Sequence, residues 1–117
     1  MAEPLTLLHN PRCSKSRAAL ALLEERGVAF EERRYLEQPL TRAELEGLRR
    51  KLGRPAREWA RRGEAAWAET GLDASSSDDA VLDAMARHPI LIERPILVRG
   101  DRAMLGRPPE ALLELLP

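Results

Sequence analysis

The chain of 117 residues holds one cysteine, and the residues around it are unusual company for a thiol. It stands in the run His9-Asn10-Pro11-Arg12-Cys13-Ser14-Lys15-Ser16-Arg17. Ahead of it, Leu5-Thr6-Leu7-Leu8 reads as a buried strand; behind it, Ala18 to Glu25 is rich in alanine and leucine and reads as helix. Cys13 therefore falls where a strand ends and a helix begins. The first N–H groups of a helix have no partner within it and carry partial positive charge. A thiol placed there is stabilised as thiolate, its nucleophilic form, and Arg12, Lys15 and Arg17 add positive charge nearby. A lone cysteine is more often a small buried hydrophobe inside an apolar run. Cys13 lies instead among proline, arginine, serine and lysine, so the expected chemistry is attack by a thiolate.

Three arginines stand out by context: Arg94 before Pro95, Arg107 before Pro108, and Arg61 within Trp59-Ala60-Arg61-Arg62-Gly63-Glu64. A guanidinium binds tetrahedral oxyanions through paired, planar N–H donors. Several converging on a thiolate would hold a doubly charged anion against the nucleophile and offset their mutual repulsion. Any one of them is also readable as a solvated surface charge. Arg50, Arg54 and Arg57 recur at helical spacing and read as an exposed face. His9, four residues before the thiol, either orients the active loop or simply bonds backbone, and the residue types leave both open. His88 reads as a histidine at a helix C-terminus. With two histidines, no carboxylate companion at ligand spacing and the cysteine assigned elsewhere, no metal site is expected. No glycine-rich phosphate loop is present.

The totals set bounds. The length suggests one domain with a modest core that needs no disulfide or structural metal. One cysteine excludes an internal disulfide and fits a reducing compartment. Nineteen basic and nineteen acidic residues cancel, so no global field favours nucleic acid or an anionic membrane. The aromatics are only Trp59, Trp67, Tyr35 and Phe30, too few for a base-stacking platform. No apolar run approaches a membrane span, and no basic-then-apolar leader is seen. A soluble, cytoplasmic, monomeric protein is expected.

The elements that must position these residues follow from periodicity. Ser14–Arg26 reads as a helix with Ala19, Leu20, Leu22 and Leu23 inward and Gly27 as its stop. Val28–Tyr35 reads as a second strand whose polar second half suggests an edge. Strand–helix–strand points to a parallel pair. Thr41 and Glu44 form a capping box for a helix carrying Leu45, Leu48 and Leu52, ended by Gly53. Pro55 opens a further short helix, and Glu64–Thr70 is helix-compatible up to Gly71. Ser75–Asp78 leads into a helix with Ala80, Val81, Ala84 and Met85 inward, closed by Pro89. Ile96-Leu97-Val98 and Ala103-Met104-Leu105 flank Gly100-Asp101 as a hairpin. Pro108-Pro109-Glu110 then enters a helix bearing Leu112, Leu113, Leu115 and Leu116. The fold class is α/β: a thioredoxin-like βαβ–ββα domain over 1–117, with an all-helical insertion at about 41–88. In that topology a proline before the third strand is commonly cis, which raises cis for Pro95 above the trans prior.

At this point the residues resemble the glutaredoxin-dependent arsenate reductases, over nearly the whole chain. His9-Asn10-Pro11-x-Cys13-x-x-Ser16-Arg17 is similar to that family's active-site loop. Tyr35-Leu36-Glu37-Gln38-Pro39-Leu40 is similar to the segment after its second strand. Arg61 with Gly71-Leu72 ten residues later resembles its insertion arginine. His88-Pro89-Ile90-Leu91-Ile92-Glu93-Arg94-Pro95-Ile96 and Gly106-Arg107-Pro108 complete the set. The resemblance implies that Cys13 attacks arsenate while Arg61, Arg94 and Arg107 bind the oxyanion. His9, Asn10, Ser16 and Pro95 would support the loop. Glutathione would be a co-substrate, glutaredoxin the partner, and no cofactor would stay bound. Ser16 stands where a dithiol enzyme holds its second cysteine, so reducing equivalents must come from outside. Two other readings stay open. A glutathione-linked thiol oxidoreductase needs Cys13 but not all three arginines. An Spx-type RNA polymerase-binding regulator would need a cysteine pair that Cys13 and Ser16 do not form.

Overall fold

A computed structural model describes residues 4–116. They divide into two compact units: residues up to Gln38 with those from Arg94 onward, and Pro39–Glu93. In the first unit the apolar run after Pro4 becomes strand β1 (Leu5–His9), and helix α1 (Ser14–Glu25) follows the Cys13 loop. Strand β2 (Glu31–Arg34) lies parallel to β1, with Thr6 opposite Glu31 and His9 opposite Arg34. Strands β3 (Ile96–Arg99) and β4 (Arg102–Leu105) complete a sheet of order β2-β1-β3-β4. Strand β3 runs antiparallel to both of its neighbours. Gly100 turns the hairpin at φ +56°, a conformation that favours glycine.

Alternation along a strand sends every second side chain to one face. Leu5 and Leu7 of β1 and Leu97 of β3 therefore meet Ala19 and Leu23 of α1 in one buried cluster, closed by Leu112 and Leu115. Those last two sit on a 3-10 segment, Pro109–Leu115, where an α-helix is expected from the leucine spacing. The second strand also differs from expectation, beginning at Glu31 rather than Val28. Val28 and Phe30 do pack on the core, but pairing with β1 starts only at Glu31. An apolar pattern reports burial, whereas a strand needs a ladder partner. As its polar composition suggests, β2 is an edge strand. In α1, Ala19 and Leu23 are buried, while Leu20 and Leu22 are only half-buried.

The second unit is built of helices: α2 (Arg42–Leu52), α3 (Ala65–Thr70) and α4 (Asp78–Arg87), with 3-10 turns at Ala56–Trp59 and Pro89–Leu91. The capping box closes both ways, Glu44 N–H donating to Thr41 Oγ1 at 3.1 Å and Thr41 N–H to Glu44 Oε1 at 2.9 Å. Ser77 caps α4 by accepting the Ala80 N–H at 3.2 Å. Val81, Leu82, Ala84 and Met85 are buried, with Leu82 in the place expected of Ala80, which is half-buried. Arg42 ties α2 to α4 through Asp79 at 3.0 Å and Asp83 at 2.7 Å. Among the described residues no helix is long and apolar enough to cross a membrane.

Candidate active site

Strand β1 delivers a closed loop to the start of α1. His9 and Asn10 are buried, and the Cys13 N–H donates to the Asn10 carbonyl at 3.0 Å. Asn10 Oδ1 accepts the Arg12 N–H at 3.0 Å, a local side-chain turn of the kind asparagine favours. From α1, Arg17 Nη1 donates back to the Pro11 carbonyl at 3.0 Å. Ser16, fully buried, accepts the Asn10 N–H at 3.0 Å and meets His9 Nδ1 at 2.8 Å. The hydroxyl at the position of a second thiol is thus occupied in holding the loop. Burial pushes the His9 pKa down, with Arg34 and Arg17 acting the same way and Glu32 against them. The balance favours the neutral imidazole.

Cys13 is the half-exposed N-cap of α1, with extended backbone. Burial pushes its thiol pKa up, but other influences outweigh it and leave the pKa lowered. They are the Ser16 N–H, the Arg94 guanidinium and the Lys15 N–H, so the helix start and one arginine favour the thiolate. Arg94 is buried and precedes a cis peptide bond to Pro95; Arg107–Pro108 is cis as well. The two Arg-Pro segments are clasped: Arg107 Nε donates to the Arg94 carbonyl at 3.0 Å, and the Gly106 N–H to the Pro95 carbonyl at 2.8 Å. A Cβ at Gly106 would fall 2.6 Å from Pro95 Cγ, so the close approach requires glycine.

The first unit therefore brings Arg94 to Cys13 and Arg107 to the backbone of Arg94. Arg61 belongs to the helical unit. Its N–H donates to the Leu91 carbonyl at 2.7 Å, beside the antiparallel bridge of Ala60 with Ile92. Its side chain is held by Glu64, from Nε at 3.1 Å, and by Glu93, from Nη1 at 2.8 Å. Burial pulls the Arg61 pKa down, but the two carboxylates outweigh it and hold it above the usual value. An open cleft of about 380 Å³ adjoins, lined by Arg61, Arg62, Glu64 and Glu93. Sequence reasoning missed both carboxylates. Glu64 was findable at three residues' spacing, whereas Glu93 is 32 residues away and carried no local signal. His88 ends α4, donating its N–H to the Ala84 carbonyl at 2.8 Å. Among the described residues no group of three or more His, Cys, Asp or Glu side chains could hold a metal ion.

A parallel β1/β2 pair, an antiparallel hairpin and a lone thiol opening the first helix define a thioredoxin-like protein. The chain belongs to the ArsC family, whose model matches residues 8–115. It is 47% identical over 114 residues to the arsenate reductase of Neisseria meningitidis serogroup A, covering 96% of this chain and 97% of that one. It is 46% identical over 118 residues to the uncharacterized protein YfgD of Escherichia coli K12, covering 99% of each. The solved structure of the arsenate reductase from Vibrio cholerae superposes with a TM-score of 0.92 at 47% identity, covering 99% of this chain and 100% of that one.

Proposed function

We propose that this protein reduces arsenate to arsenite, with Cys13 as nucleophile, glutathione as co-substrate and glutaredoxin as the final reductant. The observation that carries the reading is the thiol itself. The chain's one cysteine opens α1 with its pKa lowered and a buried arginine on it, in a chain nearly half identical to arsenate reductases along its length. Arg94, Arg107 and Arg61 supply the guanidinium donors for the oxyanion. His9, Asn10, Ser16 and Pro95 hold the loop and its surroundings in shape.

The electrons balance with two external thiols. Cys13 Sγ bonds to arsenic and one oxygen leaves as water. Glutathione sulfur then replaces a second oxygen, again releasing water. A glutaredoxin thiolate attacks that glutathione sulfur; the arsenic–sulfur pair of electrons stays on arsenic, which falls from As(V) to As(III), and a mixed disulfide departs. Water displaces Cys13 from As(III), returning the thiol and releasing arsenite. With no second thiol in the chain, the disulfide must form on the partners.

The test is arsenate-dependent NADPH oxidation with glutathione, glutaredoxin and glutathione reductase, beside Cys13→Ser. Turnover that falls to background in Cys13→Ser is expected. No turnover from folded protein with a reactive Cys13 would overturn the reading in favour of a glutathione-linked thiol exchanger.

A further inference from the structure

The Cys13 loop has a second neighbour that the oxyanion chemistry leaves unused. A cleft of about 260 Å³ is walled by that loop, from His9 to Arg12, and by Arg34, Leu36 and Glu37 at and after the end of β2. It lies within the unit that carries the thiol. We infer that this cleft seats glutathione, the co-substrate of the proposed reaction, through its two carboxylates and its ammonium group.

The lining offers more than a simple anion needs. Arsenate is small and polar throughout and needs no apolar wall. The cleft instead offers two guanidinium groups, Arg12 and Arg34, and one carboxylate, Glu37, beside an apolar side chain. Arg34 commits its Nε to Glu32 at 2.7 Å and feels the Glu37 carboxylate as well, and its Nη groups carry its remaining donors. Leu36, at 39%, is the one large hydrophobic side chain exposed among the described residues. An exposed leucine alone is ordinary, but this one lines a charged cleft beside the thiol loop and offers a ligand an apolar contact. The floor is the buried His9 and Asn10, whose backbone carbonyl holds the Cys13 N–H.

Glutathione carries a group of the right kind for each of these side chains. It has two carboxylates for Arg12 and Arg34, an ammonium for Glu37 and methylene groups for Leu36. Its volume suits a small cleft, and the cleft wall runs within one residue of the thiol it must serve. The assignment also gives work to Leu36 and Glu37, which belong to a segment that carries the family resemblance yet takes no part in binding the oxyanion. The inference rests on the proposed reaction for the identity of the ligand.

The experiment is an NMR titration of isotope-labelled Cys13→Ser protein with S-methylglutathione, which can neither exchange thiols nor form a disulfide. Amide shifts concentrated at residues 9–12 and 34–37 are expected. Arg12→Ala and Glu37→Gln should each weaken binding several-fold, and the dimethyl ester, lacking both carboxylates, should not bind. Shifts that are absent or centred elsewhere, or unchanged affinity in both variants, would overturn the inference. The titration needs no turnover, so the two readings fail separately. Binding here without arsenate reduction sinks the reaction and leaves the site. Arsenate reduction with no shifts here does the reverse.

Discussion

Arg94 and Arg61 are the same residue type, both expected to bind an oxyanion, yet the two units surround them differently. In the unit of the sheet, Arg94 is buried and its charge acts on the Cys13 thiol by hydrogen bond and by field. In the helical unit, Arg61 has a quarter of its side chain exposed and two carboxylates against it. The charge of Arg94 is already at work on the nucleophile before any substrate arrives. That of Arg61 is locally outnumbered by Glu64 and Glu93, so an anion must share it with them. Partly exposed pairs of this kind contribute little to stability, which points to orientation of the guanidinium as their role. A motif that reads as three equivalent arginines thus contains unlike parts: one acts on the thiol, and one is paired with two carboxylates.

The largest effect should come from breaking the Arg94 side of this comparison. Arg94→Ala is expected to raise the Cys13 pKa and lower kcat/KM by about 100-fold, the scale for removing one preorganised donor. Arg94→Lys should recover the thiol pKa in part but little of the rate, since it keeps charge and loses the planar fork. The rate of thiol alkylation against pH separates the two.

Arg61→Ala should raise the arsenate KM by about tenfold, the loss of one charge-assisted hydrogen bond, and leave the alkylation profile where it was. If Arg61→Ala moved the thiol pKa as far as Arg94→Ala does, the contrast between the two arginines would collapse.

The remaining effects concern stability. The His9 pKa is lowered by burial, so in the acid range the unfolded chain binds a proton that the folded protein refuses. Stability is full above the ordinary histidine pKa of about 6.5 and falls as the pH drops below it. Chemical denaturation of the wild type at pH 5 and pH 7 should show that loss, and His9→Asn should flatten the difference. Smallest of all, Thr41→Ala removes the cap of α2 and should cost about 1 kcal/mol in thermal unfolding, with Cys13 reactivity unchanged.

Much of the frame is legible in the sequence. The strand ending at the Cys13 loop, the capping box at Thr41 and Glu44, and the Gly100-Asp101 hairpin each rest on short-range chemistry, which a sequence displays directly. The pattern places the start of β2 too early, because Val28 and Phe30 show the apolar pattern of a strand without a ladder partner. The leucines of 112–116 have helical spacing, but that spacing does not distinguish a 3-10 segment from an α-helix. At the site, the residue types were readable and their partners were not. That Ser16 meets His9 is a contact within one loop that residue types alone do not dictate, and that Arg107 holds the backbone of Arg94 and Glu93 engages Arg61 are contacts between positions further apart in sequence. Only the fold decides them.

The central claim is that the start of α1 and Arg94 together make Cys13 a thiolate poised for attack. Its most direct test is a titration of the Cys13 thiol, followed by the ultraviolet absorbance of the thiolate, in the wild-type protein and in Arg94→Gln. The account predicts a wild-type pKa below the free value of about 8.5 and a higher one in the variant. A wild-type pKa at or above the free value, or one that Arg94→Gln leaves in place, would contradict it.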